Sequence, residues 1–407
     1  MKRIAIVFLM IAVTVFAAFA GGEQEGGAAQ GVTEDSVLVG NSAATSGGLA
    51  AVGVPFNQGI EAYFNMVNEA GGVAGRTIEW IHYDDEFDGA QGLTYAQRLV
   101  EDDQIFAFVG HFGTPTVAAT MEYLNSVGIP RAYYATGLRA LFDLDAEGGA
   151  RASFPVQPIY DAEGEVMVAR AVANFGAEKV GVIYPNADDG KGLLAGIERR
   201  ADMIGVEVVS VQVSPDANDM SSAAQTMISE NVDVVLVAAN QVPAEVAIKA
   251  LAAAGSSAPA ITSYVNAAPT FVEGVQEALG SFDVYANAWL QVVDEAGNQT
   301  EGLIEFADEV SKIDPALAGN PYAQAGWIAA AVFVQGLERV GDDPLTWENY
   351  VAAMEAEPVN IPLGGSVDFS DGRRVGTQAM SLLQATYDDG PNWVVDQPLE
   401  PINDILN

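Results

Sequence analysis

Residues 105–137 constrain the fold more tightly than any other stretch of the chain. Residues 105–109 are an apolar run of strand length. Residues 110–113 read as a turn with a glycine at each end. Thr114 and Pro115 then make a helix start. The threonine hydroxyl can accept from the free N–H groups of the first turn, and proline suits the first helical position. Val117, Met121 and Leu124 recur at helical spacing, Gly128 stops the helix, and residues 129–134 form the next strand. Strand, loop, helix and strand in that order fit a parallel sheet. The loops at 112–114 and 134–136 then lie together at the carboxyl ends of neighbouring strands, where open α/β sheets bind ligands. The N–H groups and positive dipole end of a helix favour an anion at that place. An ordinary helix cap in an ordinary α/β domain carries the same signature, so this unit fixes the fold more firmly than the function.

The alternation extends in both directions. Before the unit, the patterning predicts strands at 37–40 and 77–83 and helices at 55–70 and 89–102. After an acidic loop at 142–152, a second series begins. Helices are predicted at 166–174, 192–204, 221–230 and 242–254, between strands at 179–184, 206–213, 232–239, 260–263 and 284–289. Three helical patterns follow at 300–311, 322–340 and 346–355, then β-like runs at 380–386 and 393–395. Strands alternating with helices imply parallel sheets covered on both faces. Two such series imply an α/β protein of two Rossmann-like lobes, and 407 residues suffice for both.

Charge and composition exclude several functions. The formal net charge is −38, which repels nucleic acid and anionic lipid, favours solubility and suits a saline medium. The absence of cysteine excludes disulfides, thiolate catalysis, cysteine–zinc sites and a cysteine-linked lipid anchor. Two histidines, His82 and His111, cannot form a multi-histidine metal site. The sequence contains no P-loop, no Gly-x-Ser-x-Gly elbow and no full dinucleotide fingerprint, so neither cofactor nor metal is expected. The run from Asp84 to Gly89 resembles the first half of a calcium loop, but Tyr95 stands where the closing bidentate glutamate belongs. It reads as a solvated loop after a strand. No acid/base pair stands out, and no enzymatic activity is expected.

Lys2 and Arg3, the apolar run 4–16 and the Ala18-Phe19-Ala20 site predict a signal peptide over residues 1–20. The rival is a retained anchor, since the run approaches the roughly 17 residues that a span needs. Export, cleavage and a soluble periplasmic or otherwise extracytoplasmic protein are expected. Residues 21–33, rich in glycine, alanine and glutamine, read as a flexible tether.

Specific motifs then carry a resemblance. They are Gly40, Ser46-Gly47, Gly53, Gly59, Ala62 and Asn68, the run from Gly71 to Glu79, Asp84-Asp85, Gly110 to Thr114, Ala135-Thr136, Gly190 to Leu193, and Val367 to Phe369 with Asp371-Gly372. From about Val37 to its end the chain resembles the periplasmic solute-binding proteins of ABC importers, of the leucine/isoleucine/valine-binding type. The resemblance implies the type I periplasmic-binding fold, two lobes joined by three crossover strands with the ligand between them. It places the crossings near 154–156, 285–289 and 367–369. Residues 33–153 with 288–365 then form the first lobe, and 154–287 with 366–407 the second. It implies that Thr114 and Thr136 hold a ligand carboxylate, with help from the backbone at Gly113, Tyr134 and Ala135. Phe112, Tyr134, Tyr160 and Tyr264 would supply the apolar side, and Asn240 a second-lobe contact. The family's ammonium anchor is missing or moved, Asp189 being the replacement on offer. The implied function is capture of a small carboxylate, first a branched-chain or other hydrophobic amino acid, for an ABC transporter permease. A sensing module on the same fold, or a binder of an aromatic carboxylate or amide, are the alternatives.

Overall fold

The computed structural model describes residues 29–291, 299–387 and 390–407. The predicted signal peptide and most of the tether lie outside the described residues. The last part of the tether is packed: Gln30 Nε2 donates to the carbonyls of Val100 and Ile105, at 3.1 and 2.9 Å.

The first half forms β1 (Ser36–Ala43), α1 (Ala50–Glu69), β2 (Thr77–Asp84), α2 (Gly89–Glu101), β3 (Ala107–Phe112), α3 (Thr114–Val127), β4 (Arg131–Ala135) and β5 (Ser153–Phe154). These five strands make a parallel sheet of order β2-β1-β3-β4-β5. The second series is α4 (Tyr160–Phe175), β6 (Lys179–Pro185), α5 (Asp188–Ile204), β7 (Glu207–Val213), α6 (Ser221–Ser229), β8 (Val234–Val237), α7 (Val242–Ala254), β9 (Ala260–Thr262), α8 (Pro269–Val275) and β10 (Val284–Ala288). The chain then continues through α9 (Glu301–Val310), α10 (Pro321–Val340), α11 (Trp347–Ala356), β11 (Val359–Ile361), β12 (Gly365–Val367), β13 (Ala379–Thr386), β14 (Asn392–Pro401) and α12 (Ile402–Leu406). The second sheet has the order β14-β13-β10-β9-β8-β6-β7, parallel except for the antiparallel β13 and β14 at one edge. Strands covered on both faces are continuous apolar runs, and β8, four aliphatic residues all buried, is the clearest case.

Each lobe is closed by a helix pair in direct backbone contact. A Cβ on Gly59 of α1 would lie 2.0 Å from the Ala323 carbonyl oxygen, and one on Gly326 of α10 1.8 Å from that of Phe56. Gly164 of α4 and Gly196 of α5 meet the Leu193 and Asp161 carbonyls at 2.2 and 1.9 Å in the same way. Among the described residues no helix is long and apolar enough to cross a membrane.

The chain passes between the sheets three times. The first and third passages touch, Thr377 donating from N and Oγ1 to the Val156 carbonyl at 2.7 and 2.8 Å. The second and third pair as β10 and β13. The third passage lies later than residues 367–369, where the resemblance put it. Asp143 and Arg374 still exchange backbone hydrogen bonds, and Ala146 N donates to Gly372 O. The reason is the turn at Asp371 and Gly372, both at positive φ. It folds the chain back so that Arg374, 1% exposed, packs over the rings of Phe154 and Phe369.

Candidate functional site

β3 runs on through Gly110 and His111 to Phe112, so the predicted turn shrinks to Gly113. Gly113 has φ 91°, a conformation that favours glycine, and is itself the N-cap of α3. Thr114 is therefore the first helical residue and caps nothing, contrary to the sequence reading. Its Oγ1 lies 2.8 Å from Thr136 Oγ1, just beyond β4. The Tyr160 hydroxyl, at the start of α4, lies beside both threonines. Burial, and next the charge of Asp189, push the Tyr160 hydroxyl up to about 12, the two threonines opposing. Three hydroxyls from both lobes thus meet beside the start of α3, within electrostatic reach of Asp189.

Asp189 is not in a loop. α5 begins four residues before the predicted start, which places Asp189 in its first turn. Asn240, just beyond β8, donates from Nδ2 to Asp189 Oδ2 at 2.9 Å. Burial raises the pKa of Asp189, against the hydrogen bonds from Gly190 N and Asn240. Asn240 Oδ1 is buried without a partner among the described residues.

These groups face a cavity of about 750 Å³ between the lobes. Of the predicted site residues, Phe112, Gly113, Thr114, Ala135, Tyr160, Asp189, Asn240 and Tyr264 line it. Thr136 stands behind Thr114. Tyr134 turns to the opposite face of β4, packing with Val117 and Leu141, and its hydroxyl meets Ser153 Oγ at 2.9 Å. Its side chain is therefore no part of the apolar wall that the resemblance assigned to it. Tyr264 stacks on Tyr160, ring centroids 6.0 Å apart, and donates its hydroxyl to the Pro158 carbonyl at 3.0 Å. It is a wall rather than an anchor. Among the described residues no lysine, arginine or histidine lines the cavity.

Sequence reasoning missed Phe87 and Tyr322, which also line the cavity, as does Gln241, the neighbour of Asn240. Gln241 sits at φ 56°, ψ −127°, a region almost confined to glycine. Its backbone N is held by Asn266 Oδ1 at 2.6 Å. Its amide Nε2 donates to the Val265 carbonyl at 2.8 Å and to the Tyr322 hydroxyl at 2.7 Å, and that hydroxyl donates to Val265 O at 3.1 Å. Tyr322 opens α10, which packs on α1 and the first sheet, so this is a clasp across the cleft. Tyr322→Phe should release bound ligand up to about tenfold faster, the worth of a neutral hydrogen bond, without lowering the melting temperature. Stopped-flow dissociation checks this, and an unchanged off-rate removes the clasp.

The model for the family described as periplasmic binding protein matches residues 36–391. An amino acid binding protein of Pseudomonas aeruginosa is 27% identical over 173 residues, 42% of this chain and 45% of that protein. The Leu/Ile/Val-binding protein homolog 3 of Brucella melitensis is 27% identical over 208 residues, 49% and 53% of the two chains. The matched region thus spans about half the length of these curated relatives. Two solved structures share the fold. A branched chain amino acid ABC transporter protein of Thermus thermophilus, with bound valine, has TM-score 0.79 at 17% identity, covering 91% of this chain and 97% of that one. A fatty acid ABC transporter substrate-binding protein of Thermomonospora curvata has TM-score 0.78 at 20% identity, covering 92% and 95%. With nearly the whole described chain inside one family model, the protein belongs to the periplasmic binding protein family.

Proposed function

We propose that the protein captures a hydrophobic amino acid between its two lobes outside the cytoplasm and delivers it to an ABC permease. One observation carries the reading: Thr114 at a helix start, its hydroxyl paired with that of Thr136 behind it, and a buried carboxylate with no protein cation beside it among the described residues face the same cavity. The first suits a ligand carboxylate. The second suits a ligand ammonium, because a buried charge needs a partner. Asn240 Oδ1 adds an acceptor beside it. The relatives named as amino acid and Leu/Ile/Val binders support this ligand class and the transport role. The mature protein would start near Gly21, after removal of residues 1–20, as N-terminal sequencing of exported protein would reveal.

A second reading has its own support. The cavity is roomier than a branched-chain side chain requires, and its walls are largely aromatic and aliphatic. A larger carboxylate without an ammonium also fits, with Asp189 protonated and donating. A shared fold with a protein titled a fatty acid binder agrees with such a body.

Thr114→Ala and Thr136→Ala test the carboxylate anchor common to both readings. A hydrogen bond to a charged group is worth about 1.5–3 kcal/mol, so each variant should lose roughly ten- to hundredfold in affinity by calorimetry. Since Thr114 caps no helix, its melting temperature should hold. Unchanged affinity in both variants would place the carboxylate elsewhere.

A further inference from the structure

The acidic run at 84–88, which the sequence reads as solvated, is a built turn. Glu86 and Phe87 are consecutive left-handed residues, at φ 53° and 64°. A bulky side chain rarely adopts that conformation, and two in succession persist only where the surroundings impose it. Here they do. Asp84 Oδ1 accepts from Glu86 N at 3.1 Å and from Thr45 N at 3.0 Å. Asp85 is fully buried. Its Oδ1 accepts from Phe87 N at 3.0 Å, and its Oδ2 from Thr116 Oγ1 of α3 at 2.9 Å. The two carboxylates that looked like half a calcium loop are thus spent on backbone N–H groups and on the helix that carries Thr114.

The product of this arrangement is the position of one ring. Phe87 is 37% exposed, so it fills no core, yet it lines the cavity. A Cβ on Gly113 would lie 2.9 Å from its Cε2. The ring therefore rests on the glycine that begins α3, next to the threonine pair. Glycine or asparagine would hold the turn with less strain.

We propose that Phe87 is a specificity-determining residue, the first-lobe wall that covers the carboxylate end of the ligand and selects an apolar group on the neighbouring carbon. Asp85 is the positioning residue that holds it there. The inference rests on the ligand reading above. A ring at this place displaces water from the threonine hydroxyls, and hydrogen bonds to a carboxylate strengthen as water leaves. Glycine, which has no apolar side chain to offer, should be rejected in favour of leucine and phenylalanine.

Calorimetry with leucine, phenylalanine and glycine on wild type, Phe87→Ala, Phe87→Leu and Phe87→Gly tests this, with melting temperatures measured beside it. Phe87→Ala should lose at least about tenfold in affinity for leucine and phenylalanine, and Phe87→Leu should recover most of it. Phe87→Gly should bind as weakly as Phe87→Ala yet melt at the same temperature or a few degrees higher, because strain at positive φ is relieved. A packing role would instead lower the melting temperature in step with affinity, which would overturn the proposal. Wild-type affinity in Phe87→Ala would overturn it as well, leaving the ligand reading intact. Failure of the wild type to bind leucine or phenylalanine would remove both.

Discussion

Replacing Asp189 by asparagine should weaken binding of leucine and phenylalanine by about 2–5 kcal/mol, thirtyfold or more, the cost of removing one partner of a buried hydrogen-bonded charge pair. Asparagine keeps the shape and the contact with Asn240, so the melting temperature should change little. Deamino analogues such as 4-methylpentanoate should bind the variant at least as well as they bind the wild type. The pH dependence has a definite sign. In the free site, burial raises the pKa of Asp189, so its proton is lost only at higher pH than usual. A ligand ammonium beside it favours the charged form. Amino acid affinity should therefore fall on acidification through the free-state pKa, and Asp189→Asn should abolish that fall. Calorimetry of both proteins across the acid range decides this.

The second large effect concerns the polar network beneath the crossings. Glu163 of α4 is fully buried. Its carboxylate accepts from Tyr264 N at 2.7 Å, Ser263 Oγ at 2.9 Å and Asn287 Nδ2 at 3.2 Å. Arg170, two turns on, donates to Asn287 Oδ1 and to the carbonyls of Ser381 and Met380 in β13. One acid and one arginine of α4 thus hold β10, β13 and the Tyr264 turn together. Arg170→Met should destabilise the fold by about 3–5 kcal/mol, since it leaves a buried carboxylate and several carbonyls without their cation.

Burial pushes Glu163 up to about 7, the bonds from Tyr264, Ser263 and Asn287 opposing. A raised pKa stabilises the fold below the unfolded value, and that contribution is lost as pH rises toward 7. Over this window the wild type should lose about 3 kcal/mol, and Glu163→Gln, whose amide can donate to Ser263, should not. Arg170 is the cation that faces Glu163, with Glu400 and Asp396 of β14 beyond it and the Tyr264 and Tyr160 rings alongside. Melting curves at pH 5 and 7.5 for both proteins check the difference.

Much of this was readable before any coordinates. The alternation of apolar runs with helical spacing located most of the longer elements, because strands buried on both faces leave an unmistakable signature. The helix α8 escaped because seven residues carry too little periodicity. The threonine pair was found through the helix start at Pro115, although Gly113, not Thr114, turned out to be the cap. Tyr134 was assigned to the wrong face because a strand neighbour of a site residue points away from it. The clasp had no local signal, since Gln241 and Tyr322 lie 81 residues apart. Phe87 was hidden by its acidic neighbours. Carboxylates that bond backbone N–H groups look, in sequence, like carboxylates in water.

The most direct measurement is calorimetry of the wild-type protein with leucine and phenylalanine against 4-methylpentanoate and 3-phenylpropanoate, which differ from them only in lacking the amino group. If Thr114, Thr136 and Asp189 hold the two ends of a zwitterion, the amino acids should bind more tightly by tenfold or more. Equal or tighter binding of the deamino acids would contradict that and leave a carboxylate site with Asp189 protonated. Binding of none of the four would contradict the carboxylate anchor as well.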